Sequence, residues 1–318
     1  MAYAAQVMRE AKQRLQEQQR SRQAEADRQR QHAYELEPRL QTLERRMRLS
    51  VAQVMATTFQ RREDPTAALA RVRAENQSAQ AERGKILTRL GLPDYLELET
   101  LCPDCGGTGY AGQTICHCLR AHCRAVQMEQ FAALPGENRP GFDSFRPERS
   151  SGAPQYGLTP QQQMESLRDF CMDWTAHFGA GSPSLLLTGG TGLGKTLLSA
   201  CIGRTLTAQD VGVTYVRMGD LLRAYEGAQF GGEQRPKQYD EAELLILDDL
   251  GTEMTTQFTI STLYALLDSR LSAGAPTVIS TNLSSSTLQQ RYPPQLISRL
   301  LGAYKTLVFF GDDHRMNG

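Results

Sequence analysis

The feature that most constrains this chain is a glycine-rich loop at residues 189–196, with the sequence GGTGLGKT. The apolar run Leu-Leu-Leu at 185–187 precedes it, and a helix-forming segment follows from Leu197 onward. The spacing matches the pattern G-x-x-x-x-G-K-[ST], which is informative when a strand precedes it and a helix follows it. The chain is therefore predicted to contain a strand–loop–helix unit of the kind found in parallel α/β sheets.

The chemistry of this loop is that of a phosphate-binding site. Its glycines let backbone N–H groups turn inward around an anion, and the helix N-terminus adds a favourable dipole. Lys195 is predicted to contact the β and γ phosphates of ATP, and Thr196 to hold Mg²⁺ through its hydroxyl. The complete predicted set for the nucleotide is Gly189, Gly190, Thr191, Gly192, Leu193, Gly194, Lys195, Thr196 and Leu197.

After residue 159, short apolar runs alternate with helical patterns. The five apolar runs lie at residues 184–188, 212–217, 244–248, 277–281 and 306–310. Strands separated by helices predict a five-stranded parallel sheet with helices on both faces. Thr159-Pro160 with Gln162 has the spacing of a capping box, so a helix should begin there. Along that helix Trp174 is expected to lie in the core, as are Cys171 and, further along the chain, Cys201.

Two carboxylates, Asp248 and Asp249, follow the run at 244–247. A carboxylate at the end of a central strand beside a phosphate-binding loop is predicted to bind Mg²⁺, which assigns that role to Asp248. Asp249 is predicted to orient or activate the attacking water. Glu253 remains an alternative for that second role.

Three further polar residues fit nucleotide hydrolysis. Asn282 follows the run at 277–281 and is expected to hydrogen-bond the γ-phosphate or the water. Arg299 is the candidate for a cation that stabilises transition-state charge at the nucleotide of a neighbouring subunit. Arg315, near the C-terminus, is a second candidate for a phosphate contact.

A cysteine cluster lies upstream of the loop. Cys102 and Cys105 form a C-x-x-C pair, and Cys116 and Cys118 follow ten residues later. Four thiolates at such spacing predict a closed tetrahedral zinc site, whereas a redox pair would begin a helix and lack a second cysteine pair. Cys123, His117 and His122 are alternative ligands.

The first 95 residues read as helical. A stripe of apolar residues at steps of three and four runs from Leu36 to Val54, and a second helix is expected over residues 66–90, ending before Gly91. This region is either a hairpin closed on itself or a helix offered to a partner. The predicted organisation is a helical, partner-binding region at 1–95, a zinc module at 96–131, a linker at 132–158 and an ATPase domain at 159–318.

Charge and composition narrow the class of protein. The net charge is zero, but residues 1–90 carry 18 Lys and Arg against 11 Asp and Glu, while residues 160–318 carry 12 against 16. The two parts therefore face different partners, and the basic front suits nucleic acid or an acidic protein surface. With neither a secretory signal nor a membrane-length apolar run, a cytoplasmic protein is expected.

Four segments together resemble a known family: Asp-Asp-Leu-Gly at 248–251, Ser-Thr-Asn at 280–282, Ser-Arg-Leu at 298–300 and Gly-Asp-Asp-His-Arg at 311–315. Residues 140–318 resemble the DnaC/DnaI-type helicase loaders, which are AAA+ ATPases, and their relative, the IstB transposition ATPase. A zinc module ahead of the ATPase is typical of the DnaI-like branch and favours a loader over a transposition regulator.

The resemblance implies several partners and roles. Loaders of this kind use ATP to deliver the ring-shaped replicative helicase to single-stranded DNA, bind the helicase through the N-terminal part, and assemble as oligomers. Residues that would face DNA by stacking and charge lie between 220 and 239; they are Arg223, Tyr225, Phe230, Arg235 and Lys237. The alternatives are a transposition ATPase that acts on duplex DNA, a tether whose ATPase is incidental, and a small-molecule kinase.

Overall fold

The structure, a computed structural model, describes residues 3–59, 65–92, 94–95, 102–132, 141–230 and 236–313. It divides into two compact units. The helical unit comprises Lys12–Leu119, and the sheet unit comprises Met1–Ala11 with Arg120–Gly318. Within the described residues, no helix is both long enough and apolar enough to span a membrane.

Three long helices form most of the helical unit: α1 (Ala5–Leu36, from Lys12 onward), α2 (Arg39–Phe59) and α3 (Pro65–Leu90). Of the predicted apolar stripe, Leu40 and Leu43 are buried, whereas Leu36 is 51% exposed. The buried members pack in a core with Ile86, Leu87 and Tyr95, so this part of the stripe closes on the unit itself. The helix α3 ends where the sequence predicts, because Gly91 takes a positive φ of 66°.

A short hairpin completes this unit: β1 (Tyr110–Ala111) pairs antiparallel with β2 (Thr114–Ile115). The helix α4 (His117–Ala132) follows it directly. Cys102 and Cys105 precede the hairpin, and Cys116 and Cys118 lie at its end and at the start of α4. The hairpin therefore brings two cysteine pairs that are distant in sequence to one place.

A buried charge holds the helical unit together. The side chain of Glu44 is only 3% exposed. It accepts hydrogen bonds from Tyr34 Oη at 2.6 Å, from Arg83 Nε at 2.8 Å and from Tyr95 Oη. Burial by itself raises the pKa of Glu44, but hydrogen bonds from the two tyrosines and from Arg83 outweigh it, so this pKa is lowered. Arg83 also forms a two-pronged pair with Asp94, at 2.8 Å for each bond.

The sheet unit begins with two 3₁₀ turns, Phe142–Ser144 and Pro147–Arg149. Helices and strands then alternate: α5 (Pro160–Ala176), β3 (Leu185–Gly189), α6 (Lys195–Ala208), β4 (Val213–Arg217), α7 (Met218–Phe230), α8 (Gln238–Glu241), β5 (Leu244–Leu250), α9 (Gln257–Ser272), β6 (Thr277–Thr281), α10 (Ser285–Arg291), α11 (Pro294–Gly302) and β7 (Lys305–Phe309).

The five strands of this unit are parallel and stand in the order β4-β5-β6-β3-β7. Successive residues point to opposite faces, so Leu185 and Leu187 enter one core cluster and Leu186 the other. Both faces are buried, which explains why the strands read as continuous apolar runs. The predicted five-stranded parallel sheet with helices on both faces is confirmed, as is the helical N-terminal region.

Local predictions for the sheet unit hold as well. Thr159 caps α5 in a capping box with Gln162, whose N–H donates to Thr159 Oγ1 at 3.2 Å. Trp174 is 6% exposed, and Cys171 and Cys201 are fully buried. The strand β5 runs two residues beyond the predicted 244–248, because its register against β6 shifts between Leu247 and Leu250.

Helices cover both edges of this sheet. At the β4 edge, Gln127 on α4 donates its side-chain amide to the carbonyl of Val213, and Arg124 pairs with Asp210 at 3.1 Å. At the β7 edge, Gln163 on α5 donates to the carbonyl of Val308 at 2.7 Å. These contacts satisfy carbonyl groups that an open edge strand would leave unpaired.

We expect Glu44→Ala to destabilise the helical unit by about 3–5 kcal/mol, because it leaves buried Arg83 short of a partner. Since the pKa of Glu44 is lowered from 4.5, its contribution is present above that value and is lost as the pH falls through the lowered pKa. The difference between wild type and variant should therefore shrink in acid.

Urea unfolding across pH, followed by circular dichroism, measures this effect. The only tryptophan, Trp174, lies in the sheet unit, so a transition without a change in its fluorescence reports the helical unit. Glu75→Ala is the matched control, since that half-exposed carboxylate pairs with Arg46 at 3.3 Å and should cost about 0.2–1 kcal/mol. Equal losses in both variants would contradict the assignment.

Candidate functional site

The glycine-rich loop lies between β3 and α6, as the sequence predicts. Gly189 has a φ of 148°, and a Cβ there would overlap the carbonyl oxygen of Phe309 on β7. Gly192 has a φ of 70°, and a Cβ there would overlap the carboxylate of Asp313. Both positions require glycine because other residues would add strain and collide with neighbours. The N-terminus of α6 then begins at Lys195.

The lysine of this loop is held inside it. Lys195 is 5% exposed, and its Nζ donates to the carbonyl oxygens of Gly189 at 2.9 Å and Gly190 at 2.6 Å. These two glycines place their carbonyls on the lysine, and the residues that follow them line the cavity described next. The ammonium group is thus positioned at the loop before any phosphate arrives.

A cavity of about 290 Å³ opens over the loop. It is lined by Thr191, Gly192, Leu193, Gly194, Lys195, Thr196, Leu197, Arg217, Asp248, Asp249, Thr252 and Asn282. The structure therefore brings together the predicted loop residues from 191 to 197, both predicted carboxylates and the predicted asparagine. A glycine-rich loop at a helix N-terminus, a lysine and two carboxylates around one cavity suit a Mg²⁺-bound polyphosphate.

Asp248 lies at the centre of a hydroxyl cluster and is 1% exposed. Its Oδ1 accepts from Thr196 Oγ1 at 3.2 Å and from Ser280 Oγ, and its Oδ2 accepts from Tyr215 Oη at 2.5 Å. Burial raises the pKa of Tyr215 above its ordinary value, and the charge of Asp248 adds to that effect, so the phenol stays protonated and donates. The pairing of Thr196 with Asp248 puts the two predicted magnesium ligands within reach of one ion.

Backbone geometry separates Asp249 from Asp248. Asp249 has a φ of 60°, which is uncommon outside glycine, and its N–H donates to Ser280 Oγ at 3.0 Å. The register shift of β5 against β6 falls at this point, and such irregularities re-aim side chains next to active sites. Both carboxylates reach the same cavity although they are adjacent in sequence and would alternate in a regular strand.

Glu253, the alternative for activating water, has a different environment. It is 9% exposed, its Oε2 accepts the N–H of Gly251 at 2.8 Å, and its Oε1 accepts the hydroxyl of Tyr292. Burial raises the pKa of Tyr292, and its hydrogen bond to Glu253 adds to this. Glu253 does not line the cavity. Asp249 thus lines the cavity, whereas Glu253 is held by contacts with the loop after β5 and with Tyr292.

The predicted arginines lie elsewhere. Arg299, on α11, donates to Asp268 Oδ1 from Nε at 2.8 Å and lies over the ring of Tyr264 at 4.2 Å. It does not line the cavity of its own chain, which leaves the prediction of action on a neighbouring subunit open. Arg315 lies outside the described residues.

Sequence reasoning missed Arg217 and Thr252 in the cavity, and Tyr215 and Ser280 around Asp248. Arg217 pairs in register with Asp248 across β4 and β5. Its position at the end of a predicted strand was the available signal, because the carboxyl ends of parallel strands gather at one edge. Which strand lies beside β5 is decided only by the fold.

The residues predicted to face DNA fall into an exposed group and a packed group. Arg223 is exposed on α7 beside Asp220, whereas the ring of Tyr225 stacks on buried Tyr239 at 6.0 Å and its hydroxyl is 3.4 Å from Asp240. Lys237 is exposed. Arg235 and the side chain of Phe230 lie outside the described residues. Packing thus accounts for Tyr225, while Arg223 and Lys237 stay accessible.

The structure brings the four cysteines of the predicted zinc site together. The sulfurs of Cys102, Cys105, Cys116 and Cys118 all lie within 4.8 Å of one another, with 3.6 Å between Cys102 and Cys116 and 3.5 Å between Cys105 and Cys118. Zn–S bonds of about 2.3 Å in a tetrahedron place sulfurs about 3.8 Å apart. The set therefore fits zinc, which would supply structural cross-linking without redox chemistry.

Contacts within this cluster shift the pKa values of the thiols in opposite directions. Burial and hydrogen bonds to neighbouring thiols raise the pKa of Cys118 to about 12. The backbone hydrogen bond with Cys118 lowers the pKa of Cys116, but burial and hydrogen bonds to Cys102 and Cys105 outweigh it, so this pKa is also raised. Burial by itself raises the pKa of Cys105, but the N–H of Gly109, at 3.3 Å, and the Cys118 thiol outweigh it and lower the pKa to about 6. Of the alternative ligands, His117 groups with Cys102, Asp104 and Cys116. Neither His122 nor Cys123 joins a metal-sized group among the described residues.

Comparison with known proteins identifies a family for the sheet unit. The family model described as IstB-like ATP binding protein matches residues 121–301, which is more than half of the chain. The chain belongs to the IstB-like ATP-binding protein family. The predicted P-loop ATPase of the AAA+ type is thereby confirmed for this IstB-like protein.

Two curated relatives of this IstB-like protein illustrate the range of the family. The replicative helicase loader DnaC of Escherichia coli K12 is 22% identical over 197 residues, covering 58% of this chain and 80% of DnaC. An ATP-binding protein of insertion sequence IS1162 from Pseudomonas fluorescens is 32% identical over 108 residues, covering 33% of this chain and 46% of that protein.

Matches among solved structures include DnaC and DnaI. A crystal structure of the DnaC helicase loader is 18% identical, with a TM-score of 0.46, and covers 54% of this chain and 97% of its own. A crystal structure of DnaI is 20% identical, with a TM-score of 0.44, and covers 56% of this chain and 91% of its own.

We expect Asp249→Asn to lower kcat for ATP hydrolysis by about 10²–10⁴-fold while nucleotide binding is retained, because the water loses its positioning carboxylate. Glu253→Gln is the matched variant. It should lower the melting temperature, because Glu253 holds the loop after β5, and should lower kcat less than Asp249→Asn does. Steady-state hydrolysis and fluorescent-nucleotide binding measure both. A larger loss of kcat in Glu253→Gln than in Asp249→Asn would reverse the assignment.

For the cysteine cluster, we expect one zinc ion per chain in the purified protein and its loss in Cys105→Ser. Removal of zinc by a chelator should unfold the helical unit at lower temperature, since metal binding contributes folding free energy. Elemental analysis and thermal circular dichroism measure the two effects. Cys123→Ala is the control and should keep the metal. Loss of zinc in that variant would show that Cys123 is one of the zinc ligands.

Proposed function

We propose that this IstB-like protein is an ATP-driven loader that binds a replicative DNA helicase and delivers it to single-stranded DNA in the cytoplasm during replication initiation. One observation carries the proposal: an IstB-type ATPase is joined to a helical unit with a four-cysteine cluster that fits zinc. Similarity to DnaC over 80% of that loader's length supports it.

The nucleotide site supplies the switch in this proposal. Lys195 and the loop N–H groups would bind the phosphates, and Thr196 and Asp248 would hold Mg²⁺, which neutralises the charge that develops on the phosphates. Asp249 would orient the water, and Asn282 would contact the γ-phosphate or that water. Hydrolysis would then change the charge in the cavity and the contacts of the strands that end there.

Arg299 gives the proposal a subunit requirement. It does not line the cavity of its own chain, and Asp268 and Tyr264 hold it in a defined orientation on α11. An arginine supplied by a neighbouring subunit would complete each site, so hydrolysis would depend on assembly. We therefore propose that the chain works as a homo-oligomer in the presence of ATP or the helicase.

The partner surfaces are assigned by region. We propose that residues 1–95 contact the helicase, that residues 96–131 form the zinc module, that residues 132–158 act as a linker and that residues 159–318 act as the ATPase domain. The apolar side chains of Leu36 and Leu49 support a protein-binding role for the first region, because they are 51% and 49% exposed. Arg223 and Lys237 remain the accessible candidates for contact with the DNA backbone.

A second candidate, an ATPase that regulates a transposase on duplex DNA, is supported by a different observation. Insertion-sequence ATP-binding proteins from Pseudomonas fluorescens and Mycobacterium tuberculosis are 32% identical over 108 residues and 24% identical over 139 residues of this chain. The cysteine cluster is the feature that distinguishes the two candidates in our proposal, since it precedes residues 121–301, which match the IstB-like family model.

We expect Lys195→Ala to bind the helicase but to lose ATP-stimulated loading onto single-stranded DNA, because the phosphates lose their cation. Native mass spectrometry measures the complex, and helicase retention on single-stranded DNA measures loading. Arg168→Ala, which removes an exposed pair with Asp169 on α5, is the control. Unchanged loading by Lys195→Ala would contradict an ATP switch. No complex with any replicative helicase, together with a preference for duplex DNA, would favour the transposition ATPase.

A further inference from the structure

Asp248, the carboxylate predicted to bind Mg²⁺, has more hydrogen-bond partners than the phosphate-binding motif requires. The P-loop pattern accounts for the contact of Asp248 with Thr196. It does not account for Tyr215, whose hydroxyl donates to the second carboxylate oxygen at 2.5 Å. With Oδ1 bonded to Thr196 and Ser280 and Oδ2 bonded to Tyr215, rotation of this carboxylate is opposed on both sides.

Tyr215 is suited to fix Asp248 because it comes from the neighbouring strand. It lies on β4, which pairs in parallel with β5, and it stands two residues before Arg217, the register partner of Asp248. Tyr215 and Arg217 therefore lie on the same face of β4. A phenol on a rigid ring has few ways to reorient, so the position of the ring determines the position of the hydroxyl.

The ring of Tyr215 is in turn held by α4. Phe131 on α4 meets it edge-on, with 6.1 Å between ring centroids and 77° between ring planes. Phe131 is 2% exposed and fills the space beside Gly203, where a Cβ would overlap its ring. Gln127 and Arg124 tie the same helix to Val213 and Asp210 at the β4 edge. A shift of α4 would therefore move Phe131 against Tyr215.

We propose that Tyr215 is a positioning residue that orients Asp248 for the magnesium–nucleotide complex, and that Phe131 on α4 sets Tyr215 in place. The affinity for magnesium–ATP then depends on the seating of α4 against the sheet. This inference rests on the proposed magnesium role of Asp248 and is independent of helicase loading. Outer partners of metal ligands affect metal affinity in this way because they fix ligand orientation.

Tyr215→Phe tests the first half in the full-length chain. It keeps the ring and removes only the hydroxyl. We expect the apparent affinity for Mg²⁺, titrated against a bound fluorescent ATP analogue, to fall on the order of tenfold. Binding of the analogue without added Mg²⁺ should be unchanged. Tyr304→Phe is the control, because Tyr304 is also buried but lies just before β7, at the opposite edge of the sheet.

The role of Phe131 in placing Tyr215 is tested by Phe131→Leu and by the double variant Phe131→Leu with Tyr215→Phe. We expect Phe131→Leu to weaken the apparent Mg²⁺ affinity several-fold in the wild-type background and to have little further effect beside Tyr215→Phe. Purely additive effects would show that Phe131 does not act through the hydroxyl and would overturn this half. The melting temperature of each variant, measured without added Mg²⁺ or nucleotide and without a chelator, separates loss of packing from loss of magnesium affinity.

The outcomes separate the inference from its premise. Unchanged Mg²⁺ affinity in Tyr215→Phe, with strong loss in Asp248→Ala, would overturn the role of Tyr215 and leave the magnesium role of Asp248 standing. Unchanged Mg²⁺ affinity in Asp248→Ala would overturn both. A tenfold shift in Tyr215→Phe with none in Tyr304→Phe is the result that the inference requires.

Discussion

The parallel arrangement of five strands, buried on both faces, is the constraint on which the rest of the sheet unit depends. Parallel strands end at a common edge, and each of the strands β3 to β6 places a polar group there. The loop of Lys195, the carboxylates after Leu247, Asn282 and Arg217 all meet in one cavity for this reason. Burial of both faces fixes the register and leaves this edge as the place where polar groups can gather.

Environment, more than residue type, separates the acidic side chains around that cavity. Asp248 is bonded to hydroxyls, Asp249 is turned into the cavity by a positive φ, and Glu253 is occupied by a backbone N–H and a tyrosine. All three follow one another closely in sequence. Their surroundings differ because Tyr215 on β4 and Ser280 on β6 donate to the carboxylate of Asp248, Ser280 also accepts the backbone N–H of Asp249, and Tyr292 after α10 donates to Glu253.

The helical unit is stabilised in a different way. Among the side chains that the structure describes, its buried apolar cluster has three alanines among eight members. The buried charge of Glu44 with its tyrosine and arginine donors, and four sulfurs gathered at zinc-binding distance, add specific cross-links to this cluster. Such polar and metal-based contacts are directional, so they favour one arrangement of helices where an apolar core of small residues would tolerate several.

The sequence by itself determined the class of fold, the phosphate-binding loop, the carboxylates after β5 and the cysteine set, because each depends on residue type and spacing over a short stretch of chain. Hydrophobic period, capping residues and glycine spacing are local properties that a sequence displays directly. The roles of Arg217, Tyr215 and Ser280 were decided only by the tertiary structure. Each acts across a strand boundary, and strand order depends on the packing of the whole sheet. For the same reason the pattern alone predicted Asp249 but left Glu253 as an alternative, whereas a single register shift and the hydroxyl of Tyr292 give the two side chains different surroundings. The buried guanidinium of Arg270, bonded to four backbone carbonyls and Thr277, is a further example, since nothing in the local sequence distinguishes it from a surface arginine.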